Sequence, residues 1–414
     1  MRDGKLKLFL YRIRIIPVYS YIKQFNYDRK KRIMQKSDRW FYRFLPIKKN
    51  KIVFDNIVGS GYGENLKAIV DEILKQELDV EIVWLVRQKY DMPTQIRQVK
   101  YGSPEAMYEL TTAKMWVFNC RFVKHPKKKK KQVYLQTWHG AFPLKKIEKD
   151  AEDYLGKEYV RMAKYDGSIT DGVLIDNRRD EEIFRRAFWL KKGCEYLKFG
   201  IPRTDVLINK MNHCVITHEV RSSLGISDDA YVILYAPTFR DSGSEQGYIK
   251  DFDRILKTIS SKQKNAFILV RMHPLAHHLA QKICCQQKLI INATDYSDIQ
   301  GLIIAANCLI SDYSSIMFDF AIMKKPVFLY AKDYNEYLSQ SRPFYDEINM
   351  LPFSISFDEE GLINNINKYN EDEYQRRLCE FYQRFPNYND GLASKKTVEW
   401  IESKITKKVK VECI

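Results

Sequence analysis

The 414-residue chain has no uncharged apolar run approaching the roughly 18–20 residues that a membrane-spanning helix needs, so no such span is expected. The longest apolar stretch, Ile299 to Ser311, reads as a helix end followed by a buried strand. A secretory leader is not expected either, because Arg12, Arg14 and Pro17 break up the N-terminal apolar residues. The eight cysteines, at positions 120, 194, 214, 284, 285, 308, 379 and 413, form no C-x-x-C pair and no metal-ligand spacing. That excludes a disulfide scaffold and a zinc site and leaves reduced thiols. There is no internal repeat, and no low-complexity tract beyond Lys127–Lys131. A hydrophobic content of 45% with 13% aromatics excludes a disordered chain. The length exceeds what one hydrophobic core sustains, and two domains are expected.

Acidic residues are scarce at the start. Met1 to Lys51 holds sixteen Lys or Arg against Asp3, Asp28 and Asp38, and so carries most of the formal net charge of +17. Leu6, Phe9, Ile13 and Ile16 share one helical face before Pro17 interrupts it. A basic segment with an apolar stripe suits an anionic membrane leaflet, where each cation near the surface contributes about 1 kcal/mol. A plain solvated surface and a nucleic-acid arm are the other readings of the same charge.

Beyond the leader, short β-rich runs alternate with helical patterns. Strands are predicted at Lys51–Asn56, Glu81–Val86, Met115–Asn119, Gln132–Thr137 and Asp166–Ile169, with helices at Glu64–Gln76, Pro104–Ala113 and Arg179–Phe188. A second series has strands at Tyr231–Tyr235, Ala266–Arg271, Cys308–Ile310 and Pro326–Tyr330. The stretch Glu371–Lys404 reads as helical, with breaks at Pro386, Asn387 and Gly391. Strand–helix alternation implies an α/β fold of two parallel-sheet, Rossmann-like domains. Ligands of such sheets bind at the carboxyl ends of strands, so the loops there are the candidate chemistry.

Four loops stand out. ISDYSSIMFDF (Ile310–Phe320) ends a strand and opens a helix with Ser314 and Ser315, offering hydroxyls and free amides to a phosphate or, equally, ordinary N-caps. RMHP (Arg271–Pro274) places Arg271 and His273 after the strand FILV. APTFRD (Ala236–Asp241) offers Thr238 and Arg240 as phosphate contacts. LQTWHG (Leu135–Gly140) presents His139 at a strand end, beside a glycine that permits a tight turn. An imidazole near its ordinary pKa suits deprotonation of an alcohol, although either histidine is also readable as structural. GSGYGE (Gly59–Glu64) lacks the dinucleotide spacing, and LVRQ puts Arg87 where a ribose-binding acid belongs. It reads as a tight turn on the acceptor side. Asp251 and Asp253 read as a helix start rather than a metal pair, and HPLAHH (His273–His278) as solvated histidines.

LQTWHGAFPLKKI, FGIPRTDVL, YAPTFRD, RMHP, ISDYSSIMFDFA and FYQRFPNYNDGLASKKTVEWI together resemble, in order, the CDP-glycerol glycerophosphotransferases of teichoic acid synthesis, over roughly Lys51 to Glu402. One departure is Phe353 after YDEINMLP, where the family usually has glycine. The resemblance implies a GT-B-type fold with two Rossmann-like domains facing a cleft. The boundaries it implies are a basic membrane-associating leader (1–50), an acceptor domain (51–199), a donor domain (200–370) and a helical tail (371–414). It implies His139 as base on the acceptor hydroxyl and His273 as contact or acid at the diphosphate. Arg240, Thr238, Arg271, Ser314 and Ser315 would hold the diphosphate, Asp319 and Asp312 the ribose or cytidine side, and Trp138 and Gly140 the acceptor side. The implied reaction moves glycerol phosphate from CDP-glycerol to an undecaprenyl-diphosphate-linked saccharide or polyol-phosphate chain at the cytoplasmic membrane face, without cofactor, obligatory metal or nucleic acid. CDP-ribitol, a capsule polyol phosphate and a UDP- or CMP-sugar are alternative substrates on the same fold. A non-catalytic basic lipid- or nucleic-acid-binding module is the alternative of another class. The compact length leans towards a primer-type or short-chain enzyme.

Overall fold

The computed structural model describes residues 44–121, 126–240, 245–263, 265–273, 276–285 and 287–406; most of the basic leader, Asp241 and Pro274 lie outside them. The strands in chain order are β1 (Lys48–Asp55), β2 (Glu81–Val86), β3 (Ile96–Lys100), β4 (Ala113–Phe118), β5 (Val133–Gln136), β6 (Gly172–Leu174) and β7 (Glu195–Leu197), then β8 (Tyr231–Tyr235), β9 (Ala266–Val270), β10 (Ile290–Asn292), β11 (Cys308–Ser311), β12 (Val327–Tyr330) and β13 (Ser354–Ser356). They form two sheets, of order β3-β2-β1-β4-β5-β6-β7 and β10-β9-β8-β11-β12-β13. By contacts the described residues gather into two units. One comprises those up to Gly61, Asp79–Trp116 and those up to Val133; the other comprises Tyr62–Leu78, Val117–Arg121 and the chain from Tyr134 onward.

In the first unit, β1 pairs β2 and β2 pairs β3, all parallel. Ser103 caps the helix Pro104–Thr112 by accepting from the Ala106 N–H at 3.0 Å, which satisfies one of the donors a helix start leaves open. Lys51 is fully buried, its ammonium held by Glu109 and by the Thr112 hydroxyl at 2.9 Å. Burial nevertheless pushes its pKa down, because desolvation disfavours the charged form.

In the second unit, β8 explains why its sequence is a continuous apolar run. Val232 and Leu234 enter one core, Ile233 and Tyr235 the other, so both faces of the sheet are covered. The helix Glu64–Lys75 buries Leu66, Ile69, Val70 and Ile73 along one stripe. The motif FGIPRTDVL proves largely constructional. Asp205 caps the final helix Ala393–Ile405 by accepting from the Ala393 and Ser394 N–H groups at 3.0 and 2.7 Å. Gly200, at φ +86°, lies so close to Asn389 that a Cβ would meet its Cα at 2.7 Å.

One expectation needs correction. Asp166–Ile169 is the end of the helix Lys157–Ile169, and the strand is Gly172–Leu174. Gly167 is there for packing: a Cβ would fall 2.2 Å from the Phe188 carbonyl oxygen. Phe353, at the position of the expected glycine, is a buried core residue whose ring sits 6.1 Å from that of Phe318. The apolar stretch from Ile299 does divide into a helix, Ile299–Ala305, and β11.

Candidate active site

Within the second unit, a cavity of about 760 Å³ is lined by the chain leaving β5 (Trp138, His139, Gly140), β8 (Pro237, Thr238, Phe239), β9 (Arg271, Met272, His273) and β11 (Tyr313, Ser314, Ser315). Those are carboxyl ends of strands, where parallel sheets bind ligands, and the volume lies in the range of small-molecule sites. The LQTWHG, APTFRD, RMHP and ISDYSS motifs, far apart in sequence, thus share one cavity.

His139 sits in a turn that its own hydrogen bonds hold in place. The Thr137 N–H donates to the Phe118 carbonyl at 2.8 Å, and the Trp138 N–H to Gln136 Oε1 at 2.9 Å. The His139 Nδ1 lies 2.8 Å from the Asn119 carbonyl oxygen. A carbonyl only accepts, so Nδ1 carries the proton and Nε2 is left as a base. Burial lowers the His139 pKa below 6.5, the Asn119 carbonyl opposes this, and Arg203, Arg342 and Arg121 lower it further. The imidazole is therefore mainly neutral at pH 7. The left-handed residue of the turn is Trp138, at φ +56°, and Gly140 does not take that conformation. A Cβ at Gly140 would lie in ordinary contact with the Ser315 hydroxyl, at 3.5 Å. The Trp138 ring packs into the core at 4.8 Å from Phe188, so only part of it faces the cavity.

On the opposite wall, His273 lies beside the Phe239 ring at 5.2 Å. The Thr238 hydroxyl is buried and has no hydrogen-bond partner among the described residues. Arg271 lines the cavity while its Nη1 donates to the Ala293 and Tyr296 carbonyls at 3.0 and 2.6 Å. Ser314 and Ser315 line it just before the short helix Ile316–Ile322.

Three expected ligand contacts are occupied otherwise. Arg240 is buried, its Nε donating to Asp333 Oδ2 at 2.6 Å, Nη2 reaching Asp312 Oδ2 at 2.9 Å and Nη1 the Thr238 carbonyl at 2.6 Å. It braces the loop from behind and is not among the cavity residues. Asp312 is equally buried and also accepts the Thr238 N–H at 2.8 Å. Asp319 reaches the cavity wall, but its carboxylate is held bidentately by Arg203, at 2.9 and 3.1 Å.

Sequence reading missed Arg203, which also approaches Glu64 at 3.3 Å, although FGIPRTDVL contains it. Glu64, whose pKa burial raises, also lines the cavity, as do Lys145 and Arg342. Glu64 ends the GSGYGE segment and Lys145 lies within LQTWHGAFPLKKI, but neither was nominated as a site residue, and Arg342 lies in none of the motifs. His277, expected to be solvated, pairs with Asp295 at 2.8 Å. Asp251 caps the helix Phe252–Ser260 through the Arg254 N–H at 2.9 Å.

The family model for CDP-Glycerol:Poly(glycerophosphate) glycerophosphotransferase matches residues 39–403. The chain belongs to that family. It is 32% identical to the teichoic acid glycerol-phosphate transferase of Staphylococcus aureus, over 85% of this chain and 93% of that protein. It is 33% identical to the teichoic acid poly(glycerol phosphate) polymerase of Staphylococcus epidermidis, over 84% of this chain, and spans half of that protein's length. The solved structure of the wall teichoic acid polymerase TagF superposes with a TM-score of 0.81 at 30% identity, over 94% of this chain and 98% of that one. The fold is thus GT-B-like, with two parallel sheets and a helical C-terminal region. No helix among the described residues is long and apolar enough to cross a membrane.

Proposed function

We propose that this chain is a glycerophosphotransferase that moves glycerol phosphate from CDP-glycerol to a lipid-linked teichoic acid primer or growing chain, releasing CMP, at the cytoplasmic face of the membrane. The observation that carries the reading is the meeting of His139, His273, Ser314, Ser315 and the Thr238 hydroxyl, unpartnered among the described residues, in one cavity, in a chain of this family. Nε2 of His139 takes the proton of an acceptor hydroxyl as that oxygen attacks the glycerol-bearing phosphorus. The bond from this phosphorus to the bridging oxygen breaks, and CMP departs with that oxygen. Phosphoryl transfer of this kind depends on positioning and charge neutralisation more than on covalent catalysis. In this reading His273, Arg271, Arg342 and Lys145 supply positive charge or donors to the diphosphate, and the Thr238, Ser314 and Ser315 hydroxyls bond its oxygens. Arg240 serves the site by holding Thr238 in place. The leader's charge supports peripheral attachment to an anionic leaflet.

The test offers CDP-glycerol and CDP-ribitol in turn with a defined lipid-linked disaccharide, reading CMP release and product mass. CMP release and one added glycerol phosphate or more are expected with CDP-glycerol. His139→Ala and His273→Ala should abolish transfer with the fold intact. Near wild-type turnover in either variant removes that residue's role. Preference for CDP-ribitol reassigns the donor, and no CMP release from either favours a non-catalytic module.

A further inference from the structure

Asn65 is completely buried in the first turn of the helix Glu64–Lys75, on the same face as Leu66, Ile69 and Val70. An amide in that position costs free energy unless both its ends are bonded. Both are. Its Nδ2 donates to the Trp138 carbonyl at 3.0 Å and the Thr137 carbonyl at 3.4 Å, and its Oδ1 accepts from the Arg203 N–H at 3.3 Å. Two acceptors on one side and a donor on the other fix which way the amide lies. The two carbonyls belong to the residues that immediately precede His139. Trp138 itself is at φ +56°, and Glu64, just before Asn65, at φ +58°. Non-glycine residues rarely adopt this region, and they persist there only where their surroundings hold them. The chain thus accepts strain on both sides of one side-chain amide. The extended Gly63 and left-handed Glu64 that close the glycine-rich segment bring Asn65 to this place.

We propose that Asn65 is a positioning residue for His139: by gripping the Thr137 and Trp138 carbonyls it holds the left-handed turn that aims the imidazole Nδ1–H at the Asn119 carbonyl and leaves Nε2 as the proton acceptor. This rests on the reading of His139 as the base. Asn65 is not among the residues that line the cavity, so it acts through the turn alone. None of its hydrogen bonds goes to Thr238, Arg271 or His273, so donor binding should not depend on it.

The experiment uses the full chain with Asn65→Asp, which keeps an oxygen for the Arg203 N–H but sets a second oxygen against two carbonyls. Turnover of CDP-glycerol should fall about 10²-fold, the loss expected when a reacting group is displaced by about an ångström. The KM for CDP-glycerol should stay near wild type; the melting temperature should fall, because an oxygen now faces two carbonyls in the core, and turnover is therefore read well below it. Nitrogen-15 spectra of labelled histidine, with His139 assigned by its absence in His139→Gln, should show the Nδ1–H tautomer in the wild type and a mixture in the variant. Should Asn65→Asp fail to fold, Asn65→Ser takes the same measurements. Unchanged turnover, or an unchanged His139 tautomer, overturns the proposal, as does a loss of activity that merely follows a loss of melting temperature. If the wild type itself releases no CMP, the functional reading is what fails, and the tautomer comparison still decides the role of Asn65 in the turn.

Discussion

Asp319 was expected at the ribose, yet its carboxylate is bound twice by Arg203, and the two readings predict opposite behaviour for Asp319→Asn. The Asp319 and Arg203 side chains are only 7% and 5% exposed. Removing one partner of a buried ion pair typically costs 3–5 kcal/mol, because the other charge is left uncompensated. Here Glu64 stays 3.3 Å from Arg203 Nη1. The neighbouring Asp319 charge is one cause of the raised Glu64 pKa, after burial itself. Neutralising Asp319 therefore lets Glu64 ionise more easily and take over part of the pairing. The expected loss lies at the low end, about 3 kcal/mol. Urea unfolding at pH 7 measures it as a lowered midpoint, while titration calorimetry in the absence of urea should give an unchanged Kd for CDP-glycerol. An unmoved midpoint together with lost nucleotide affinity refutes the reasoning and returns Asp319 to the nucleotide.

Three further outcomes are expected. Because His139 must be neutral to accept a proton and burial and arginines hold its pKa below 6.5, kcat/KM should fall only as pH drops below that value. Arg342→Gln removes one of the depressing charges, so the acid limb of the pH–rate profile should move to higher pH; a limb that stays put or moves lower contradicts the assignment. Gly193 and Gly200 share φ +86°, but only Gly200 faces an obstacle. Gly193→Ala should cost about 1 kcal/mol for the left-handed backbone, and Gly200→Ala about 1–3 kcal/mol more for overlap with Asn389; equal costs in urea unfolding exclude the overlap. Deleting residues 1–32, which lie outside the described residues, should release the protein from anionic vesicles in a sedimentation assay, at about 1 kcal/mol per basic residue removed, while sparing activity on a soluble acceptor analogue.

The sequence announced the sheet centres and hid the sheet edges. β1, β2, β8, β9, β11 and β12 were legible, and β8, for example, sends successive residues into cores on both faces. Besides β6, whose expected place fell on the end of the helix Lys157–Ile169, the four strands passed over are β3, β7, β10 and β13, the outermost in each sheet. β3 alternates buried with exposed residues that include Arg97 and Lys100, and the other three have only three residues each. A short or half-solvated strand has no run long enough to set it apart from a loop. The site divides along a similar line. His139, His273, Thr238, Ser314 and Ser315 follow central strands, and position alone nominated them. Arg240 and Asp312 follow the same strands and were nominated for the same reason, but they turn inward and neutralise each other. Charge type and chain position are visible in a sequence; which charges face each other is not. Arg203 and Asn65 escaped for the converse reason, since neither ends a strand and both act through partners more than 70 residues away.

The partner chosen for His139 bears on how strong a base the reaction needs. A carboxylate at Nδ1 would stabilise the imidazolium and raise its pKa. Here Nδ1 meets a neutral carbonyl, and three arginines act against protonation. The resulting base is weak but mainly in its neutral form at pH 7. For a carbon acid that would be a poor arrangement. For phosphoryl transfer it is adequate, because positioning and charge neutralisation carry more of the catalysis than the strength of the base. The dominant demand is instead on the charge of the diphosphate, and Arg342, which lines the cavity and also depresses the His139 pKa, is suited to meet it. Arg342 cannot favour a bound diphosphate without also disfavouring the imidazolium. The two effects share one origin. Once CMP has left, the same charges help the proton off His139 and return it to the neutral form from which the next transfer starts.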